Sequence, residues 1–202
     1  TALKANFPHG FLTVPALGAG TANTEFEVIT GMNLDYFGTG EYPYETILKK
    51  TACETIGYDL KELGYSTHAI HNNTATFYDR NLVYPNLGFD TFTSLEYMDN
   101  IETNALGWAK DAILIPAIVD ALDSTAEQDF VYTVSVQGHG KYPRTLVDDN
   151  YSITLEGIAD EKEAVAFWYY VNQIHEMDTF IGNLLETLGA YPEPVVVVLF
   201  GD

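Results

Sequence analysis

Positive charge is scarce in this 202-residue chain, which has 9 Lys and Arg against 29 Asp and Glu and a formal net charge of −20. Proteins that bind nucleic-acid phosphates do so through clusters of Lys and Arg, so the composition argues against a nucleic-acid partner. It argues equally against broad electrostatic adsorption to anionic lipid head groups. An anionic substrate would therefore have to be held by a few local cations.

Cysteine and long apolar runs are scarce as well. The single cysteine, Cys53, excludes an internal disulfide framework and a cysteine-rich zinc module. The longest apolar run, residues 195–200, is far shorter than the ~18 to 20 residues that span a bilayer. The chain shows no signal-peptide pattern and begins at Thr1. We expect residues 1–202 to form one domain, truncated from a longer protein.

What the chain does contain is an alternation of short apolar or aromatic runs with longer helical stretches. Hydrophobic residues make up 47% of it, enough to build a core. The alternation predicts an α/β fold, with a mostly parallel central sheet and helices on both faces. We expect the connection 72–104 to be an excursion from the sheet edge that carries short helices. The predicted helices are Thr21–Thr30, 44–63, 108–122 and 161–188, and the predicted strands are 11–14, 66–70, 130–136 and 195–200.

Polar residues follow each predicted strand. In open α/β sheets, ligands bind outside the carboxyl ends of the strands, so these residues are the natural candidates for a site. A Gly18-Ala19-Gly20-Thr21 segment follows the first strand, and His71 follows the second. His139, between two glycines, follows the third, and Asp202 follows the fourth.

Thr21 allows two interpretations. At the start of a helix and after a glycine-rich turn, it would lie beside free backbone N–H groups that bind anions such as a phosphoryl group. Alternatively, Thr21 is a simple N-cap, with Thr24 or Glu25 completing the capping interaction. For Glu25 itself, a solvated or capping role is expected.

The other candidates also have structural alternatives. The flanking glycines favour a ligand-binding role for His139, whereas His71 could simply bond to a loop. Arg80 could hold two phosphoryl oxygens with its planar fork, or form a salt bridge with Asp79 or another neighbour. Asp202 follows a strongly apolar strand, a position where carboxylates often bind hard metal ions. Cys53 is expected to be a small buried residue in a helix.

Taken together, these segments resemble one known family. Residues 20–28, Gly-Thr-Ala-Asn-Thr-Glu-Phe-Glu-Val, look like the nucleophile segment of lipoteichoic acid synthase-like phosphoglycerol transferases. These are membrane-anchored bacterial enzymes in the sulfatase branch of the alkaline phosphatase superfamily. Further blocks match in the same order and extend the resemblance over residues 18–202: His71 through Arg80, then residues 87–90, then 135–140 and finally 197–202.

The resemblance implies a role for each candidate. Thr21 would be the catalytic nucleophile and a metal ligand, and Asp202 a second ligand, with Mn²⁺ or Mg²⁺ as the ion. His71, Tyr78, Arg80 and His139 would hold the phosphoglycerol group. The implied reaction moves phosphoglycerol from an anionic phospholipid donor, similar to phosphatidylglycerol, to a glycan or polymer acceptor. The implied location is the extracellular face of the bacterial cell membrane, reached through an N-terminal anchor outside this sequence.

The chain also departs from the family pattern. The family has an acidic metal ligand upstream of Thr1 and a histidine after Asp202, so we expect an incomplete metal site and little activity from these 202 residues alone. Residues 20–23 read Gly-Thr-Ala-Asn where the synthases carry a Gly-Lys-Thr-Ser-Asp type segment, and this departure argues against lipoteichoic acid itself as the polymer product.

Of three other functions, a sulfatase in the strict sense is disfavoured and two remain open. The Cys53 segment does not match the Cys/Ser-x-Pro-x-Arg segment of a sulfatase in the strict sense. A metal-dependent phosphodiesterase or related hydrolase would use water as the acceptor. A catalytically inactive surface domain would only bind glycerophosphate.

Overall fold

A short parallel sheet forms the centre of the molecule. The computed structural model describes residues 2–16, 20–147 and 151–202. Within these residues the sheet has three parallel strands, in the order β2-β1-β3. They are β1 (Ser66–His71), β2 (Thr91–Ser94) and β3 (Asp129–Val134). The α-helices of the described residues are α1 (Ala2–Asn6), α2 (Thr21–Thr30), α3 (Ile56–Glu62), α4 (Arg80–Asn86), α5 (Leu114–Leu122) and α6 (Glu161–Gly189).

Helices cover both faces of this sheet, which confirms the predicted α/β class. Side chains alternate along the central strand β1, so that Ala69 faces one layer and Ile70 the other. The first layer is built from α2, α4 and the segment 42–48, and the second from α5 and α6. The first core contains Ala22, Phe26, Ile29, Tyr44, Leu48, Val83, Tyr84, Leu87, Phe89 and Tyr132; the second contains Met98, Leu114, Ile118, Leu184 and Leu188.

The register of the sheet brings the strand ends together. His71 pairs with Ser94 of β2 and with Val134 of β3, the last residue of each strand. Because the strands are parallel, their carboxyl ends lie at one edge of the sheet. The loops that follow β1 and β3 therefore leave the sheet side by side.

Two of the predicted helices form nearly as expected. The helix α2 has the predicted bounds, and α6 runs one residue beyond its predicted end. The α6 helix begins where Asp160 accepts hydrogen bonds from the backbone N–H groups of Lys162 and Glu163, both at 2.9 Å. The glycine-rich turn proposed before α2 is only partly visible, because Leu17, Gly18 and Ala19 lie outside the described residues.

The other two predicted helices start later than predicted. Of residues 44–63, only Ile56–Glu62 is an α-helix, and Cys53 lies in the extended segment before it, half-buried. The start is set by Thr55, whose hydroxyl accepts from the Tyr58 N–H (3.3 Å) and donates to the Leu87 carbonyl (2.6 Å). In 108–122, a 3₁₀ turn at Asp111–Ile113 precedes α5.

The strand predictions were correct in the middle of the chain and wrong near its two ends. The strands β1 and β3 match predictions 66–70 and 130–136 to within two residues, whereas residues 11–14 and 195–200 pair with no strand among the described residues. A strand requires a hydrogen-bonded neighbour, and here Phe11, Val196 and Val198 are exposed. The short edge strand β2 lies inside the connection 72–104, where no strand was predicted.

Candidate active site

The carboxyl edge of the sheet carries two of the predicted site residues. His71 is the last residue of β1 and is buried, and His139 lies in the loop after β3 and is exposed. Nδ1 of His71 donates to the carbonyl of Val134, the last residue of β3, at 2.8 Å. Burial and Arg80 lower the pKa of His71, and His139 adds a smaller contribution in the same direction.

Thr21 lies at the N-terminus of α2, but it is not the N-cap. That position belongs to Gly20, in the left-handed conformation (φ 97°), which favours glycine. Glycine has no side chain to cap the first N–H groups, and the first turn of α2 has no acidic residue. A half-buried hydroxyl thus stands at a helix end whose dipole favours an anion. This arrangement supports the anion-binding interpretation of Thr21 over the capping one.

A row of aromatic rings connects Thr21 to the sheet edge. The Tyr42 ring packs so closely on Gly20 that a Cβ there would lie 2.9 Å from its hydroxyl. Tyr42 stacks on Tyr78, with ring centroids 5.8 Å apart and an interplanar angle of 22°. The Phe77 ring then meets Tyr78 edge-on at 4.9 Å and His139 at 6.2 Å. These rings form one wall that runs from Thr21 to His139.

The backbone at Tyr78 is strained. Tyr78 (φ 55°) and Asp79 (φ 52°) both adopt the left-handed conformation, which side chains with a Cβ rarely occupy. A salt bridge of 2.6 Å between Asp79 and Lys49 fixes the turn from outside. Such strain persists only where surrounding contacts impose it, and it is common at ligand sites. Here it directs the Tyr78 ring against the guanidinium of Arg80, whose Cζ lies 5.3 Å from the ring centroid.

Arg80 is buried, and its partner is Glu25 rather than Asp79. The Arg80 Nε donates to Glu25 Oε2 at 3.2 Å, Nη2 donates to Oε1, and Nη1 donates to the Phe77 carbonyl at 3.1 Å. Glu25 Oε2 also accepts from the hydroxyls of Tyr84 (2.8 Å) and Tyr44 (3.2 Å). The expectation that Glu25 is solvated or capping is wrong, because 2% of the residue is exposed.

The pKa values of this cluster follow from burial and charge. Burial alone would raise the pKa of Glu25, but the charge of Arg80 and the hydrogen bonds from Arg80 and Tyr84 outweigh it, and the pKa is lowered. Burial would likewise lower the pKa of Arg80, yet the Glu25 carboxylate raises it. Both groups therefore stay ionised at neutral pH. Burial and the Glu25 charge raise the pKa of Tyr44 and of Tyr84 well above the ordinary value, so the hydroxyls of these two residues remain hydrogen-bond donors.

His71 is held in a defined neutral form. Burial, and then the charge of Arg80, lower the pKa of His71 to about 4, so the ring is uncharged at neutral pH. The Val134 carbonyl can only accept a hydrogen bond, so the ring proton is on Nδ1 and Nε2 carries a lone pair. Nε2 is buried and has no partner within the described residues. It is available to accept a hydrogen bond from a ligand hydroxyl.

His139 lies among aromatic rings. The Trp108 ring lies 4.7 Å from the imidazole between centroids, at an angle of 47°. Nδ1 of His139 bonds to the carbonyl of Gly140. Trp108 comes from the loop between β2 and α5, so three separate loops contribute rings here: those of Phe77, Trp108 and His139.

Asp111, in the 3₁₀ turn before α5, connects the loops beyond the strand ends. Its Oδ1 accepts from Asn72 Nδ2 (2.9 Å), just after β1, and from the N–H of Gln137 (3.2 Å), after β3. The Asp111 N–H donates in turn to Gln137 Oε1 at 2.7 Å. Burial raises the pKa of Asp111. The carboxylate thus fixes the loop after β1 relative to the loop that carries His139.

Asp202 and Thr21 are hard oxygen donors of the kind that Mg²⁺ and Mn²⁺ prefer. Asp202 is exposed; burial, then the charge of Glu25 and to a smaller extent that of Asp202, raise the pKa of Tyr132. No group of three or more His, Cys, Asp or Glu side chains that could hold a metal occurs in residues 2–16, 20–147 and 151–202. Two donors do not complete a coordination shell, so these residues alone do not form a metal site.

The structure thus brings His71, Tyr78, Arg80 and His139 into one cluster. Thr21 adjoins it through Gly20, which packs against Tyr42, the ring that stacks on Tyr78. Sequence reasoning missed Glu25, Tyr42, Tyr44, Tyr84 and Trp108 as members of the site. Glu25 did leave a signal, because it lies at helical spacing within the apolar stripe of Ala22, Phe26 and Ile29, where a carboxylate needs a partner. The tyrosines and Trp108 had no such signal.

The parallel α/β fold agrees with the family that the comparisons with known proteins show. A family model described as Sulfatase matches residues 2–202, so the chain belongs to the Sulfatase family. It is 30% identical over 188 residues to a Rhizobium meliloti (strain 1021) protein described as a cyclic beta-1,2-glucan modification protein, covering 93% of this chain and 29% of that one. It is 27% identical over 190 residues to the capsular polysaccharide biosynthesis protein RkpI of the same strain, covering 92% and 32%. It is 25% identical over 146 residues to a lipoteichoic acid synthase of Staphylococcus saprophyticus, covering 70% of this chain and 22% of that one.

Solved structures show the same fold. The phosphoglycerol transferase GacH of Streptococcus pyogenes, in complex with sn-glycerol-1-phosphate, superposes with a TM-score of 0.71 at 26% identity, covering 87% of this chain and 46% of that one. The lipoteichoic acid synthase LtaP of Listeria monocytogenes gives 0.69 at 22% identity, covering 84% and 40%. The family match and these superpositions together establish a Sulfatase-family fold for this chain. The chain spans less than a third of the length of the curated relatives named above.

None of the helices that the structure describes is both long enough and apolar enough to cross a membrane.

Proposed function

We propose that these residues belong to a metal-dependent transferase that moves phosphoglycerol from a phosphatidylglycerol-like lipid to a cell-surface glycan or polymer. The observation that carries the proposal is the position of Thr21 at an uncapped helix N-terminus, beside a cluster that contains Arg80, His71 and His139. The similarity to GacH, a phosphoglycerol transferase solved with sn-glycerol-1-phosphate, supports it.

The first step would form a covalent intermediate on Thr21. Its Oγ loses its proton and attacks the donor phosphorus, the bond from phosphorus to the diacylglycerol oxygen breaks, and that oxygen takes up a proton as diacylglycerol leaves. In the second step an acceptor hydroxyl attacks the phosphorus, the bond to Thr21 Oγ breaks, and Oγ recovers its proton. The two steps together exchange one phosphodiester for another.

The residues of the sheet edge would hold the phosphoglycerol. Arg80 donates to the phosphoryl oxygens. His71 is neutral with its lone pair on Nε2, so it suits a glycerol hydroxyl rather than a phosphoryl oxygen. The Tyr78 ring forms a wall of the pocket, and His139, which is exposed, can reach the group from the open side.

A divalent cation, Mn²⁺ or Mg²⁺, is part of this proposal. Thr21 and Asp202 would be two of its oxygen ligands, and further ligands are needed to complete the shell. When bound, the cation would stabilise the Thr21 alkoxide and the charge on the phosphoryl group. Such stabilisation suits threonine, whose hydroxyl is a weak nucleophile at neutral pH.

The names of the relatives support a carbohydrate or polymer acceptor. Their descriptions name a cyclic glucan, a capsular polysaccharide and lipoteichoic acid, which are carbohydrate or polymer products. We therefore propose a glycan or polymer acceptor at the extracellular face of the bacterial cell membrane, with a membrane anchor outside the residues described.

Diacylglycerol release tests the proposal. The full-length protein that carries these residues is incubated with Mn²⁺ and labelled phosphatidylglycerol, beside a Thr21→Ala variant. We expect release from the wild type and a loss of about a thousandfold or more in the variant, as for removal of other catalytic nucleophiles.

The form of the product separates the alternatives. Phosphoglycerol on an added glycan supports a transferase, whereas free glycerol phosphate as the sole product indicates a phosphodiesterase. Binding of glycerol phosphate without turnover of any phosphodiester would indicate an inactive binding domain and contradict the proposal.

A further inference from the structure

We propose that Glu25 is a positioning residue, which fixes the guanidinium of Arg80 so that a single edge of it meets the phosphoryl group. This inference rests on the proposed function. Glu25 lies four residues after Thr21, one turn further along α2, so the same helix carries the nucleophile and the residue that orients the anion-binding side chain.

Two of the five N–H groups of Arg80 remain available to a ligand. A guanidinium has five, and its plane fixes their directions. Two of them, on Nε and Nη2, are donated to Glu25, and one on Nη1 is donated to the Phe77 carbonyl. One N–H is left on each terminal nitrogen. A phosphoryl group can therefore be met at the two terminal nitrogens but not at the Nε edge, which the carboxylate occupies.

The faces of the guanidinium are restricted too. The Phe77 ring centroid lies 5.8 Å from Cζ and the Tyr78 centroid 5.3 Å, and 1% of Arg80 is exposed. Because two rings, a carboxylate and a carbonyl hold the buried guanidinium, Arg80 acts as a rigid donor pair.

Glu25 is itself immobilised. Besides the two bonds from Arg80, its Oε2 accepts the hydroxyls of Tyr44 and Tyr84. These two rings meet edge-on, with centroids 6.4 Å apart, within the first core. The packed core thus holds Tyr44 and Tyr84 in place, these hold Glu25, and Glu25 in turn holds Arg80.

The Glu25 carboxylate also affects anion binding, in the opposite direction to its effect on turnover. It places a negative charge beside the cation that receives the substrate anion, so it weakens the binding of a simple anion. Catalysis depends on interactions that are strongest in the transition state, and a fixed donor pair supplies these better than a free arginine does. Removing the charge of Glu25 should therefore change anion binding and turnover in opposite directions.

The test compares Glu25→Gln with wild type in the full-length protein. We expect turnover of phosphatidylglycerol to fall by about tenfold or more, from lost orientation. In contrast, calorimetric titration with inorganic phosphate should show a several-fold lower Kd. The matched control is Glu27→Gln on the same helix, because its carboxylate accepts the Leu34 N–H (2.9 Å) and is not bonded to Arg80. Both quantities should stay within about twofold of wild type in the control.

A merely structural role would give a different pattern. Turnover and phosphate affinity would then fall together with the melting temperature, and that result overturns the inference, as does unchanged turnover. If Glu25→Gln does not fold, Tyr84→Phe decides, since it removes one hydrogen bond to Glu25 and keeps both charges. We expect a smaller fall in turnover with little change in phosphate affinity, and wild-type turnover in Tyr84→Phe would overturn the inference.

Turnover in the two variants distinguishes a failure of the proposed function from a failure of the positioning role. Turnover that survives Thr21→Ala contradicts the covalent mechanism whatever Glu25 does. Turnover that is lost in Thr21→Ala but normal in Glu25→Gln contradicts the positioning role alone. The phosphate titration needs no turnover, so it remains informative in both cases.

Discussion

At the scale of single residues, the charge state of His71 links the site to stability. Burial and Arg80 lower its pKa to about 4 in the folded protein, whereas an unfolded chain has a histidine pKa near ~6.5. Between these values the unfolded state binds more protons, so the free energy of unfolding falls as the pH falls through this window. The full difference amounts to roughly 3 kcal/mol, reached near pH 4.

Denaturant unfolding between pH 7 and 4.5 checks this prediction. The lowered pKa values of Glu25 and Asp90 act below this range, and the raised pKa of Asp111 acts in the opposite direction. His71→Gln should flatten the pH profile between 6.5 and 4.5. The groups whose charges act on His71 are Arg80, Glu25 and His139, and they remain in this variant. A wild-type profile that is already flat would contradict the buried neutral state.

The sequence points to residues that bear recognisable chemistry as site candidates, such as Thr21, Arg80 and His139. It did not identify Arg80's partner, because that depends on which residue of another element faces the guanidinium. Glu25 is 55 positions away in sequence, and no local spacing encodes such a contact. The roles of Tyr44 and Tyr84 could not be predicted for the same reason, because in sequence these residues resemble ordinary aromatic core positions.

At the scale of elements, Asp111 connects the ends of β1 and β3. Replacing it with Ala leaves Asn72 Nδ2 without one of its acceptors and the Gln137 N–H without the carboxylate that it bonds. Each unsatisfied buried donor costs about 1 to 3 kcal/mol, so we expect Asp111→Ala to lower the free energy of unfolding by about 2 to 4 kcal/mol. Denaturant titration measures the change.

The matched control is Asp120→Ala in α5, because Asp120 is exposed. Its effect should remain within about 0.5 kcal/mol. An equal loss in both variants would show that Asp111 acts only through its charge and not by connecting the strand ends.

Elements whose signals are local could be predicted. The helices α2 and α6 have helical apolar spacing, and β1 and β3 are runs flanked by polar turns. Residues 195–200 have an equally strong strand pattern, but a strand exists only when a neighbour supplies hydrogen bonds. Conversely, β2 has four residues and its pattern is too short to recognise, yet pairing with β1 makes it a strand.

At the scale of the whole molecule, the net charge of −20 and the buried Arg80–Glu25 pair both disfavour the binding of an anionic substrate. Because Glu25 offsets the charge of Arg80, the site holds little excess positive charge of its own. A phosphodiester would therefore depend on added positive charge, which a divalent cation supplies in the proposed mechanism. Turnover should accordingly be lost when the cation is removed with a chelator and return when Mn²⁺ is added.

The central claim is that Thr21 carries the phosphoglycerol during transfer. The most direct test is mass spectrometry of peptides from the full-length protein, quenched during turnover of phosphatidylglycerol in the presence of Mn²⁺. We predict a glycerophosphoryl group on Thr21 that disappears when a glycan acceptor is added. An unmodified Thr21 peptide during steady turnover, or a modification at another residue, would contradict the account.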